Sequence, residues 1–277
     1  MRAAAIQLDS TADRGRNLQQ AERLIRAAAE DGATLVALPE HFDLRGEDDD
    51  YARGAEPLDG PTIERVRELA RELDVDLVAG SIPERRAGRD KVSNASVHIG
   101  PDGEIHAVYR KIHLFDVTVA EVEYRESDSG EPGDAAVLSE AADGTKIGLS
   151  VCYDVRFPEL YRILALQGAL VVIVPANFTR VTGEAHWEVL LRARAVENQL
   201  FVVAPAQAGE YPPGKPAYGN SMVIDPWGEV LARAPAAGET FVAADLDFDR
   251  LAEVRAKLPS LANRVPAAYR WPEEVRA

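Results

Sequence analysis

The 277-residue chain is 46% hydrophobic and carries a formal charge of −15, from 46 acidic and 31 basic side chains. Such an acidic surface disfavours nucleic acid and anionic lipid as partners. No apolar run approaches the roughly 20 residues of a membrane span, and the single cysteine excludes an intrachain disulfide, which fits a cytoplasmic location.

In chain order, residues 2–8 read as a buried strand and 17–30 as a helix, with Leu18, Ala21, Leu24, Ile25 and Ala28 at helical spacing. The apolar run 34–38 ends at Pro39-Glu40. Residues 61–74 repeat the helical pattern behind an initial proline, and 75–82 form another strand. The middle is rich in hairpins: 91–99 and 104–112 flank Gly100-Pro-Asp-Gly103, and 135–138 and 146–151 flank Asp143-Gly144. A short helix, 158–167, is closed by Gly168, and an apolar strand, 169–174, follows. Then come a long helix, 183–198, strands 200–206, 220–224, 229–233 and 241–246, and a last helix, 251–258. Helix–strand alternation around a hairpin-rich middle predicts an α/β fold, a four-layer α-β-β-α sandwich whose strands are apolar because both their faces are covered. No linker or repeat divides the chain, so 1–258 is taken as a single domain. The tail, 259–277, is expected to pack on a neighbouring subunit.

Three residues at the ends of strand runs carry candidate chemistry. Cys152 stands where a strand gives way to a turn just ahead of a helix, a setting that suits a reactive thiolate. Glu40 closes Leu35-Val-Ala-Leu-Pro39-Glu40, where partial desolvation tunes a carboxylate toward base work. Lys111, in Tyr109-Arg-Lys111-Ile-His, offers an ammonium for a developing oxyanion. Taken singly, each has an ordinary structural reading: a buried thiol, a loop carboxylate, a surface lysine. Together they fall where strand ends of a layered fold converge. The histidines at 41, 98, 106, 113 and 186 show no metal-ligand spacing, and no glycine-rich phosphate loop follows a strand, so neither metal nor cofactor is expected. Asn177 and Phe178, at the end of the 169–174 strand, are expected to line the pocket. Arg156 and Arg180 are the arginines best placed in sequence to meet a substrate carboxylate; the alternative is that both pair with carboxylates of the protein surface.

Leu38-Pro-Glu40, Tyr109-Arg-Lys111-Ile-His-Leu-Phe115 and Gly148-Leu-Ser-Val-Cys152-Tyr-Asp-Val-Arg-Phe-Pro-Glu159 resemble the three motifs of the nitrilase superfamily, in order. The resemblance continues through Pro175-Ala-Asn-Phe178, the segment from Thr182 to Asn198, and Tyr218-Gly-Asn-Ser221 to Gly228, and it thins after Pro259. Within the superfamily the chain looks most similar to the ω-amidase and deaminated-glutathione-amidase branch, with departures at Asn177, Arg180 and the segment 210–216. The resemblance implies that Glu40 is the general base, that Lys111 and the backbone N–H of Tyr153 hold the oxyanion, and that Cys152 forms a thioester. It also implies that Glu126, in Tyr124-Arg-Glu126-Ser, orients Lys111, and that the protein is a homodimer or larger assembly built on the helices 158–167 and 183–198. The implied substrate is a small carboxamide bearing a carboxylate. The alternatives are a nitrilase acting on nitriles, or another amide or carbamoyl hydrolase.

Overall fold

A computed structural model of the chain describes residues 1–119 and 121–269. The first half builds β1 (Arg2–Gln7), α1 (Arg14–Glu30), β2 (Leu35–Ala37), α2 (Asp48–Gly54), α3 (Pro61–Leu73), β3 (Asp76–Glu84), β4 (Ser93–Ile99) and β5 (Ile105–Arg110). A small hairpin, β6 (Asp116–Val119) and β7 (Val122–Arg125), then leads into one helical turn, α4 (Glu126–Ser129). The second half runs through β8 (Val137–Glu140), β9 (Lys146–Leu149), α5 (Pro158–Leu166), β10 (Val171–Ile173), α6 (Arg180–Asn198), β11 (Phe201–Ala204), β12 (Met222–Ile224), β13 (Val230–Arg233), β14 (Thr240–Asp245) and α7 (Phe248–Lys257).

Two six-stranded sheets result, in the orders β14-β1-β2-β3-β4-β5 and β13-β12-β11-β10-β9-β8. In each, three strands run parallel, β1-β2-β3 and β9-β10-β11, and antiparallel strands flank them. The parallel strands are the continuous apolar runs of the sequence, and side-chain alternation explains why both faces must be apolar. Ala3, Ala5, Leu35, Ala37 and Val78 pack with Ile147, Leu149, Val171 and Ile173 of the other sheet. The intervening Ala4, Ile6, Val36, Leu77 and Ala79 pack instead with Leu24 and Ile25 of α1 and Ile63 and Val66 of α3. On the far side, Leu160 and Leu164 of α5 and Trp187 and Leu191 of α6 join the second sheet's cluster. Each fully buried Leu, Ile or Val contributes about 1.5–3 kcal/mol by leaving water.

Several helices start earlier than the apolar periodicity alone suggests, because polar residues outside the pattern cap them. Asp13 accepts from Arg16 N at 3.0 Å, so α1 begins three residues before Asn17. Thr179 likewise caps α6 and Asp247 caps α7. The elements α2, β6, β7 and α4 carry no apolar signature in the sequence. Among them α2 opens with Asp48, Asp49 and Asp50 and has no buried residue.

Candidate active site

The strand ends of the two sheets bring Glu40, Lys111 and Cys152, and the end of the β6–β7 hairpin brings Glu126, around one cavity of about 190 Å³. Glu40 follows β2. One of its oxygens accepts from Lys111 Nζ at 3.2 Å and from Asn94 Nδ2 at 2.9 Å, and the other accepts from the backbone N–H of Asn177 at 2.7 Å. Lys111 Nζ also donates to Glu126 at 2.7 Å, and that carboxylate is held in turn by the backbone N–H of Phe115 at 2.6 Å. Glu40 and Lys111 are 3% and 2% exposed, so these charges face each other with little water between them.

Cys152 sits at a tight elbow between β9 and a 3-10 turn, Cys152–Arg156, with a positive φ of 49°. Such a left-handed non-glycine residue stores about 1–3 kcal/mol of strain, and something must hold it. Asp154 does so. Fully buried, it accepts from Val151 N at 2.8 Å, from the Tyr109 hydroxyl at 2.6 Å and from His113 at its backbone N–H (3.2 Å) and Nδ1 (2.7 Å). Tyr109 and His113 bracket Lys111, so one carboxylate ties the cysteine elbow to the lysine strand end. Cys152 N donates to Pro175 O at 2.8 Å, which joins the elbow to the chain just ahead of Asn177.

Burial pushes the Glu40 carboxyl upward. The Lys111 ammonium, with further help from His41, the Cys152 thiol and the Asn177 N–H, outweighs that and holds it at about 2. Burial, followed by the adjacent Glu40 charge, pushes the Cys152 thiol well up. Lys111 is pulled down by burial but held charged by Glu126 and Glu40. The resting arrangement is therefore a protonated thiol beside an ionised carboxylate and an ammonium held in its charged form. A thiol with a carboxylate base and a fixed cation on the wall of the same cavity is equipped for acyl transfer.

Tyr153, Asn177 and Phe178 line the same cavity. Arg156 and Arg180, expected to meet a substrate carboxylate, are not among its lining residues. The Arg156 guanidinium stacks over the Phe178 and Tyr153 rings, at 5.2 and 5.8 Å, and lies 3.3 Å from His186 Nδ1. Arg180 is the exposed first residue of α6. Proximity along the chain to Cys152 and Asn177 did not determine which way these side chains turn. Asn94, Asp154 and Lys215 escaped the sequence reading. For Asp154, a carboxylate two residues past a strained nucleophile candidate was the available signal; Asn94 had none.

Strand pairing also draws together Asp76, His98 and His106 from β3, β4 and β5, with ligand-type atoms within 4.8 Å of one another. Spacing along the sequence concealed this group. Both ring nitrogens of His98 are engaged, by Asp76 at 3.1 Å and by Ser139 of the other sheet at 2.7 Å, which makes it a polar clamp between sheets.

Residues 2–256 match the carbon-nitrogen hydrolase family, and the chain belongs to it. It is 43% identical to the deaminated glutathione amidase of Synechocystis sp. (strain PCC 6803 / GT-S), over 95% of this chain and 97% of that protein. To the omega-amidase NIT2 of Bos taurus it is 39% identical, over 97% and 96%. Its fold superposes with a TM-score of 0.77, at 28% identity and over 94% of this chain and 98% of that one, on a glutamate-to-glutamine mutant of the amidase from Nesterenkonia sp. AN1, whose structure shows Michael addition of acrylamide at the active-site cysteine. The fold is the mixed α/β fold of the nitrilase superfamily, and the protein is a hydrolase of non-peptide carbon–nitrogen bonds. Among the described residues no helix is long and apolar enough to cross a membrane.

Proposed function

We propose that the protein hydrolyses a small, carboxylate-bearing carboxamide to its acid and ammonia, through a thioester on Cys152. The observation that carries this reading is the chain of contacts from Glu40 through Lys111 to Glu126, with Cys152 on the wall of the same cavity. Glu40 takes the thiol proton as sulfur attacks the amide carbon. Lys111 and the backbone N–H of Tyr153 face the oxyanion. Collapse of the tetrahedral adduct breaks the C–N bond, and Glu40 returns the proton to the leaving nitrogen, which departs as ammonia. Water then attacks the thioester, Glu40 takes its proton, and the acid leaves as the thiol reforms. Glu126 positions Lys111, and Asn177 and Phe178 shape the pocket wall.

We read the layers as α-β-β-α and the assembly as a homodimer through α5 and α6. Ile163 and Leu166 of α5 and Val189 and Val196 of α6 are 46–60% exposed, which leaves an apolar face to be covered. The tail from Pro259 is assigned to a neighbouring subunit; its last part, 270–277, lies outside the described residues.

Cys152→Ala is expected to abolish ammonia release from dicarboxylate monoamides while leaving the circular dichroism spectrum unchanged. Ammonia release by that variant at the wild-type rate would falsify the thioester route, and faster turnover of the matching nitriles would move the protein to the nitrilases.

A further inference from the structure

Among the described residues, three cations line the cavity: Lys111, Arg125 and Lys215. Lys111 is engaged between Glu40 and Glu126. Arg125 is more than half exposed and is paired along its own strand with Glu123, at 2.5 Å. Lys215 differs from both, because the protein builds a support for it. The nearly inaccessible Arg45, 1% exposed, donates from Nη1 to Ala208 O at 2.7 Å and from Nη2 to Lys215 O at 3.3 Å. The backbone N–H of Arg180 holds Pro216 O at 2.9 Å, and Glu210 accepts from Gly214 N at 2.7 Å. The 210–216 loop is thus pinned from inside the molecule. The Lys215 ammonium reaches over the cavity to the Tyr124 ring, 5.9 Å from its centroid, and ion-pairs with Glu47.

That ion pair is the exchangeable part. The Glu47 side chain is 56% exposed, and a pair open to water is held weakly. A carboxylate arriving from inside the cavity, shielded by Tyr124, makes the stronger charge-assisted contact, while Glu47 returns to solvent. The chain's charge of −15 repels anions at long range, so an anionic substrate needs a local cation of this kind, inside the Debye length of roughly 8 Å.

We propose that Lys215 is the specificity-determining residue of the site: it anchors the distal carboxylate of a short dicarboxylate monoamide, which displaces Glu47 from it. This rests on the amidase reading above and replaces Arg156 and Arg180 in the role the sequence suggested for them.

The test pairs succinamate with its neutral analogue butyramide. Lys215→Met is expected to raise KM for succinamate about tenfold or more, the loss of one charge-assisted hydrogen bond, and to leave butyramide KM and both kcat values nearly unchanged. Lys215→Arg should restore discrimination. Glu47→Gln, which removes the competitor, should lower succinamate KM by about threefold. Equal changes for both amides, or none for either, would overturn the proposal, as would wild-type preference for butyramide. A preference for zwitterionic glutamine over glutaramate would also overturn the exchange, since Glu47 would then be holding an ammonium. Protection of Cys152 from iodoacetamide by succinamate reads binding without turnover. Lys215-dependent protection with no ammonia released would sink the amidase reading and keep the anchor. Ammonia release with discrimination unchanged in Lys215→Met would do the reverse.

Discussion

Glu40 sets the charge balance of the site. Burial alone raises a carboxyl, but Lys111 and the smaller contributions around it hold this one at about 2. A base with a depressed pKa is ionised above that value and is lost only as pH falls through it. The acid limb of kcat/KM is therefore expected to follow acid unfolding, with no titration near the ordinary glutamate value of about 4.3. Lys111→Met removes the largest opposing charge and leaves the burial. In that variant kcat should drop by about 10²–10³, and the acid limb of the residual activity should move above the ordinary glutamate value. A pH–rate profile read beside circular dichroism checks both. If the limb stayed in place, some group other than Lys111 would be keeping Glu40 ionised. At this scale the sequence pointed to Glu40, Lys111 and Cys152 as candidates, because each follows a strand run, and the family resemblance supplied the roles proposed for them. It did not disclose side-chain direction. Arg156 folds over aromatic rings, while Lys215, 63 positions beyond the nucleophile in the chain, faces the same cavity.

At the scale of elements, Glu40 depends on how closely β3 passes the end of β2. A Cβ on Gly80 would lie 2.0 Å from Pro39 O and 2.4 Å from Leu38 O, both backbone atoms that no side-chain rotation can relieve. Gly80→Ala must push the Leu38-Pro39 segment away and carry Glu40 with it. Since small misplacements of reacting groups cost about 10²-fold, kcat should fall by at least about tenfold, along with a lower thermal midpoint. Lost stability with kcat intact would show that Glu40 does not ride on this contact. The long elements were legible because α1 and α3 present apolar stripes to a sheet. By contrast α2 and the β6–β7 hairpin were hidden, since neither has, among the described residues, a buried one to give it an apolar stripe, although Asp48 and Tyr51 of α2 and Glu123, Tyr124 and Arg125 of β7 line the cavity.

For the whole molecule, the exposed apolar side chains of α5 and α6 set the expectation. Wild-type protein should sediment as a dimer or larger assembly, and Leu166→Glu combined with Val196→Glu should shift it toward monomer. A monomeric wild type at micromolar concentration would dispose of the helical interface. Local periodicity was enough for the α/β class and the apolar strands, and it placed Glu40, Lys111 and Cys152 at strand ends as candidates, whereas Glu126 came only through the family resemblance. Tertiary structure alone decided that Asp154 braces the elbow, that Asn94 bridges Glu40 and Glu126, that His98 clamps the two sheets, and that Lys215 rather than Arg156 or Arg180 faces the cavity. The hydrogen bonds among these join residues between 3 and 54 positions apart; they arise through register and side-chain direction, and neither is written in a pattern along one strand or one helix.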